Sequence, residues 1–136
     1  MNLKELLNQT PDMVVSANVV VTADVKFHRL LRVEGIVEGK VIAPPEACLV
    51  LCPGGHFKGQ LTGLGLVYVN GTVDGDICVY RLSLGPNAVI RGNITCQQIE
   101  MSGTAKIQGN LNISPTVQIR NDYDEESTKE LIHDQL

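Results

Sequence analysis

Val73-Asp74-Gly75-Asp76-Ile77 sets an apolar residue two places before and two places after a glycine, and this unit occurs five times. The others are Val37-Glu38-Gly39-Lys40-Val41, Phe57-Lys58-Gly59-Gln60-Leu61, Ile90-Arg91-Gly92-Asn93-Ile94 and Ile107-Gln108-Gly109-Asn110-Leu111. Successive glycines stand 20, 16, 17 and 17 residues apart. A period below about 20 residues is too short for a strand plus a helix. It suits one turn of a β-solenoid, in which each coil stacks on the one before.

Columns counted from the glycine extend the pattern. Eight residues earlier stand Leu31, Leu51, Val67, Leu84 and Met101; four earlier stand Gly35, Gly55, Gly71, Ala88 and Ala105. Alternation of apolar residues predicts strands. Small residues at two fixed places per coil predict corners, where the backbone bends and bulky groups do not fit. A sixth coil lies upstream if Ala23 takes the glycine column, because Val15, Ala17, Val19, Val21, Ala23 and Val25 alternate without a break. Ile113, Val117 and Ile119 read as an incomplete last turn, and Ala43-Pro44-Pro45-Glu46 as a corner loop that accounts for the 20-residue step. The expected fold is all-β, a single-stranded parallel β-helix of about six coils of 16–20 residues. Its competitor is an antiparallel sandwich, which does not normally hold small residues at one fixed period. The expected organisation is a tail over 1–13, the β-helix over 14–119 and an acidic tail, with helical character, over 120–136.

With 136 residues the chain is one domain. Aromatics make up 4% and tryptophan is absent, which suits a narrow interior filled by Val, Ile and Leu. The net charge of −4 and the lack of a basic cluster argue against nucleic acid as a partner. No apolar run of about 18 residues and no signal peptide is visible, so a cytoplasmic location is expected. Cys48, Cys52, Cys78 and Cys96 make no CxxC pair and read as free buried thiols rather than zinc ligands. His28, His56 and His133 are scattered, Gly63-Leu64-Gly65 lacks the third glycine of a dinucleotide loop, and no phosphate-loop GK[ST] occurs. We therefore expect no catalytic residue, no metal and no cofactor. His56 reads as a surface or corner residue.

The ends differ from the repeat. Leu3, Leu6 and Leu7 fall on one side of a single-turn helix that Pro11 stops. They read either as a weak membrane-surface or filament contact motif, or as a cap or loose tail. Asn121 to Leu136 is acidic and loses the alternation, leaving a solvated tail and a docked helix equally open.

Leu30-Leu31-Arg32-Val33-Glu34-Gly35-Ile36-Val37-Glu38-Gly39-Lys40-Val41 and Val69-Asn70-Gly71-Thr72-Val73-Asp74-Gly75-Asp76-Ile77, continued by the units at Gly92 and Gly109, resemble the bactofilins over about residues 14–119. The chain departs from that pattern in Pro44-Pro45, the cysteines and the acidic tail. The resemblance implies a right-handed, triangular β-helix that polymerises end to end without nucleotide as a cytoskeletal scaffold for cell shape. It also implies placement at the inner face of the membrane through short N-terminal motifs. The residues lead to a polymer independently, since terminal coils leave strand edges unpaired and core columns open. Like ends joined at both termini would give a non-polar filament with the chain itself as partner. The expected N-terminal contact uses Val15, Val19, Val21 and Phe27, and the C-terminal one Ile113, Val117 and Ile119. Two other classes stay open: a trimeric hexapeptide-repeat enzyme, which the single stretch Leu84 to Asn93 mimics, and a solenoid interaction module with capped ends.

Overall fold

The computed structural model describes residues 3–116 and 119; Val117 and residues 120–136 lie outside the described residues, as does the side chain of Leu3. A short helix, α1 (Leu3–Asn8), precedes a run of fourteen strands. Coil 1 holds β1 (Met13–Val15), β2 (Val20–Thr22) and β3 (Val25–Lys26), and coil 2 holds β4 (Leu30–Val33) and β5 (Ile36–Ile42). Coil 3 is β6 (Cys48–Leu51) and β7 (His56–Thr62); coil 4 is β8 (Leu66–Val69), β9 (Thr72–Asp74) and the start of β10 (Ile77–Leu84). Coils 5 and 6 follow with β11 (Val89–Arg91), β12 (Ile94–Met101), β13 (Lys106–Gln108) and β14 (Leu111–Ile113).

Every pairing is parallel and joins one coil to the next, so the fold is the expected parallel β-solenoid of about six turns. Each turn contributes to three ladders. The first runs β1–β4–β6–β8 and then through the second half of β10 and of β12. The second runs through β2, β5, β7, β9, β11 and β13. The third runs from β3 through the ends of β5 and β7 into β10, β12 and β14.

The second and third ladders follow the columns read from the sequence. Val21, Val37, Phe57, Val73, Ile90 and Ile107 stack in register, and Val25 pairs with Val41, which places Ala23 in the glycine column. The first ladder does not follow them. Leu31 lies beside Leu49, Val67, Leu82 and Ile99, whereas Leu51, Leu84 and Met101 belong with Val33 and Val69. The reason is that the corner between the first two ladders comes in two lengths. It is short at Glu34-Gly35 and Asn70-Gly71, and two residues longer at Cys52 to Gly55, Gly85 to Ala88 and Ser102 to Ala105, so counting back from the glycine slips by one strand repeat. The 20-residue step corrects likewise: only half of its surplus over a 16-residue coil lies in the Pro44-Pro45 corner, and the other half in Cys52-Pro53-Gly54-Gly55.

The glycine column needs its glycines. Gly59 and Gly75 have φ of 141° and 145°, and a Cβ on either would overlap the carbonyl oxygen of the glycine one coil before. In three coils the next residue secures the corner. Asp24, Asp76 and Asn93 accept hydrogen bonds from the backbone N–H of Lys40 (3.2 Å), Asn93 (3.0 Å) and Asn110 (3.3 Å) one coil on. Inside, Val33, Val37, Leu49, Leu51, Phe57, Leu61, Val67, Val73, Ile90 and their stacking partners form one continuous aliphatic core.

Candidate assembly interfaces

In a stack, each coil is covered by the one above and the one below, and only the first and last leave a face uncovered. At the C-terminal end, among the described residues, β13 pairs only with β11, β14 only with β12, and the Gln98–Met101 half of β12 only with β10. Their inward side chains continue the core columns: Leu111 above Ile94, Ile113 above Cys96, Met101 above Leu84. Ile94 and Cys96 are buried, yet Leu111, Ile113 and Met101 are 41%, 47% and 48% exposed. Ile99, Ala105 and Ile107 beside them are half-buried. This end is an open core.

The N-terminal end is more closed. Val15 and Phe27, expected to lie on a contact surface, are already buried in the main core together with Val25. The Phe27 ring comes one step beyond the Lys26–Ile42 pair, where the next coil offers the small Ala43, so the largest side chain of coil 1 fills the corner instead of projecting from the end. Val21 is half-buried and Val19 is 44% exposed, its carbonyl accepting from the N–H of Ile36 at 3.0 Å. The apolar surface here comes from Met13, Val14, Val19 and Val20.

Of the three residues expected at the C-terminal contact, Ile113 stands on the open core, Ile119 is half-buried outside any strand, and Val117 lies outside the described residues. Met101 and Leu111, not among the expected residues, are exposed at the ends of the same apolar columns. The signal that finds them is position: the last member of a core column is an end. Met13 begins the core column of Leu31, whereas Val14 and Val20, beside Arg32 and Ile36, are outward members of their strands.

The leucines of α1 do not make one free apolar face. Leu6 is buried against Leu30, Cys48, Val50 and Leu66 on the outer wall of the first ladder, while Leu7 is 45% exposed. The expectation of a free contact motif from Leu3, Leu6 and Leu7 is thus corrected at Leu6, whose side chain is spent on the wall.

The outer wall of the second ladder carries charges that alternate along the stack. Glu38 lies 3.6 Å from Lys58, and Asp74 lies 3.4 Å from Arg91. His56 reaches diagonally to Asp74 at 2.5 Å. The hydrogen bond from His56 is the main cause that holds the Asp74 carboxyl below its ordinary value, with Arg91 assisting. These pairs are solvent-exposed and each stabilises by less than about 1 kcal/mol. They fix which coil lies beside which more than they hold the stack together.

The thiols are free. Burial pushes Cys48, Cys52 and Cys96 up, away from the reactive thiolate. No group of three or more potential metal ligands is present among the described residues. No helix among them is long and apolar enough to cross a membrane. Two wall recesses, beside Arg81 and Glu100 and beneath α1, are about 30 and 10 Å³, room for no more than a water or two.

Parallel strands stacked coil on coil around one core, with the last members of the core columns exposed at the C-terminal end among the described residues, define a class: a single-chain β-solenoid. The chain belongs to the bactofilin family, described as polymer-forming cytoskeletal, with a match over residues 13–112 that starts on the first residue of β1 and ends inside β14. The family is structural rather than enzymatic, and self-association is its defining property. Neither the curated proteins nor the solved structures offer a match.

Proposed function

We propose that this chain is a cytoplasmic cytoskeletal scaffold that assembles end to end into filaments without nucleotide. Like end meets like end at both termini, so the filament is non-polar and serves to hold cell shape or to localise partners. The observation that carries this reading is the open core at Met101, Leu111 and Ile113, which sits on buried columns and belongs to no other element of the chain among the described residues. Burial of such side chains drives association, and the unpaired edges of the terminal strands give it direction. A contact between identical ends is its own two-fold, and two different two-folds along one rod generate an unlimited filament without polarity. Placement at the inner face of the membrane would have to use Leu7, since Leu6 is buried on the wall.

Negative-stain electron microscopy of the purified protein, with neither nucleotide nor metal and paired with sedimentation, tests the reading. Uniform filaments about one solenoid wide support it. Discrete trimers or monomers at all concentrations overturn it.

A further inference from the structure

The chain leaves the solenoid beside the open core. In coil 5 the backbone runs without a break from Cys96 through Gln97 into the first-ladder half of β12. In coil 6 the N–H of Ser114 still reaches the Cys96 carbonyl at 3.0 Å, but Pro115 and Thr116 then form a turn. The Ser114 and Thr116 hydroxyls lie 3.2 Å apart, the same device that Ser102 and Thr104 use at 3.3 Å where the chain turns from the first ladder into the second. Among the described residues no further first-ladder strand is therefore laid over Met101, which stays 48% exposed. Ile119, three residues past the turn, is half-buried outside any strand, so the chain does not run straight off the end of the rod. Residues 120–136 carry six acidic and two basic side chains, and their aliphatic ones are Leu131, Ile132 and Leu136.

We infer that Leu131 and Ile132 seat on the open core of their own subunit, over Met101, Leu111 and Ile113, and that a second copy must displace them to join end to end. An aliphatic pair in a charged segment gains most where apolar columns end uncovered. The tether has the right length. Eighteen residues lead from Ile113 to Leu131, and a flexible chain of that length spans on the order of 20–25 Å. One side of a three-sided coil of 17 residues measures roughly 20 Å at about 3.3 Å per residue. The pair therefore reaches every column of the end from which the chain departs. Tethering over such a distance gives an effective concentration on the order of millimolar, which a second copy has to match. Seated about nine-tenths of the time, the segment leaves about a tenth of the ends free, and a like-to-like junction needs two free ends. The cap thereby sets the concentration at which filaments begin. That consequence rests on the proposed function; the seating itself does not.

The test is Leu131→Asn with Ile132→Asn in the full chain, a change that removes the aliphatic pair and adds no charge. Sedimentation gives the critical concentration. Peptide mapping gives the rate at which dilute hydrogen peroxide converts Met101 to its sulfoxide in subunits kept below that concentration. Met13, 36% exposed in the first coil, is the internal reference. We expect the critical concentration to fall at least tenfold and Met101 oxidation, relative to Met13, to rise at least threefold. Leu131→Ile with Ile132→Leu keeps both side chains aliphatic and should match the unaltered protein in both readouts. Circular dichroism confirms that the β-solenoid persists in each. An unchanged Met101 rate in the first variant overturns the seating, and so does a second variant that behaves like the first. A faster Met101 with an unchanged or raised critical concentration overturns the competition with a second copy. If neither the unaltered protein nor the first variant polymerises, the proposed function fails instead, while the Met101 rate still decides the seating.

Discussion

Replacing Leu111 by arginine should abolish long filaments while leaving the solenoid folded. Full burial of a large aliphatic side chain stabilises by about 1.5–3 kcal/mol. With 41%, 47% and 48% of Leu111, Ile113 and Met101 still exposed, each has about 0.6–1.4 kcal/mol left to gain. A two-fold contact counts all three twice, giving about 4–8 kcal/mol against an association cost of about 4–15 kcal/mol. The margin is thin even with help from strand edges, so one poor substitution is enough to remove it. Leu111→Arg appears twice in the contact, removes two apolar side chains and sets two like charges facing each other where water is excluded. An uncompensated buried charge costs about 3–5 kcal/mol. The contact should weaken by at least about 5 kcal/mol, or roughly a thousandfold or more in dissociation constant.

Sedimentation of a concentration series reads this as a rise in the critical concentration, and circular dichroism monitors the fold. Asn112→Arg is the matched control. It adds the same charge one residue away, on the side chain that alternation turns outward between Leu111 and Ile113. It should polymerise nearly as the unaltered protein does. The reasoning fails if Leu111→Arg, still β-rich, sediments with an unchanged critical concentration, or if Asn112→Arg is just as disruptive.

Further expectations concern the other end, the corners, the charges and the thiols. Val19→Arg should block growth but leave dimers joined through their C-terminal ends, visible by analytical ultracentrifugation; monomers would mean that the C-terminal contact does not stand alone. Gly75→Ala should cost about 1–3 kcal/mol or more, a fall in melting temperature of roughly 4–15 °C, because the new Cβ meets the Gly59 carbonyl at a φ that side chains rarely adopt. Gly103→Ala, where a Cβ meets nothing within 4 Å, should leave the melting curve within about 0.5 kcal/mol. Asp74 has its pKa lowered in the fold, so the stability it adds is present above the ordinary carboxylate range near 3.9 and is lost as pH falls through the lowered value. Asp74→Asn should therefore show a shallower acid limb in a plot of melting temperature against pH, and an unchanged limb would count against the His56 and Arg91 contacts. Cys48 and Cys96 should resist an aromatic disulfide reagent at neutral pH until the protein unfolds, with Cys52 and Cys78 reacting first.

Periodicity made most of the fold legible, because a solenoid repeats its chemistry wherever it repeats its geometry. The glycine column was clear since stacked corners at Gly39, Gly59, Gly75, Gly92 and Gly109 exclude a side chain in every coil after the first. The first ladder was misread because its entry corner varies in length, and a fixed count from the glycine cannot register a two-residue change that falls between ladders. Leu6 was harder still. Its partners Leu30, Cys48, Val50 and Leu66 are the outward members of strands that read as plain apolar runs, and a run apolar on both faces does not say what covers the outer one. The interface residues were placed by assuming that terminal coils are open. Ile113 is exposed at the last coil, whereas Val15 and Phe27 are buried in the first.

The contrast between ends and sides explains why this fold grows in one dimension. Along the walls, hydrogen bonds from Asp24, Asp76 and Asn93, together with the pairs Glu38–Lys58 and Asp74–Arg91, join one coil to the next and leave polar groups facing water. Nothing in them favours a neighbour at the side. At the C-terminal end the exposed Leu111, Ile113 and Met101 continue the core columns, and burying them repeats what each internal coil already does for the one beneath it. In the proposed end-to-end filament, addition of a subunit would be a continuation of folding, with two-fold related strands in place of the next coil. The exception on the walls is the row through Leu30, Cys48 and Leu66, and it is there that the chain lays down its one helix among the described residues. The open columns at Leu111 and Ile113 lie along the rod, where a further layer of strands would add.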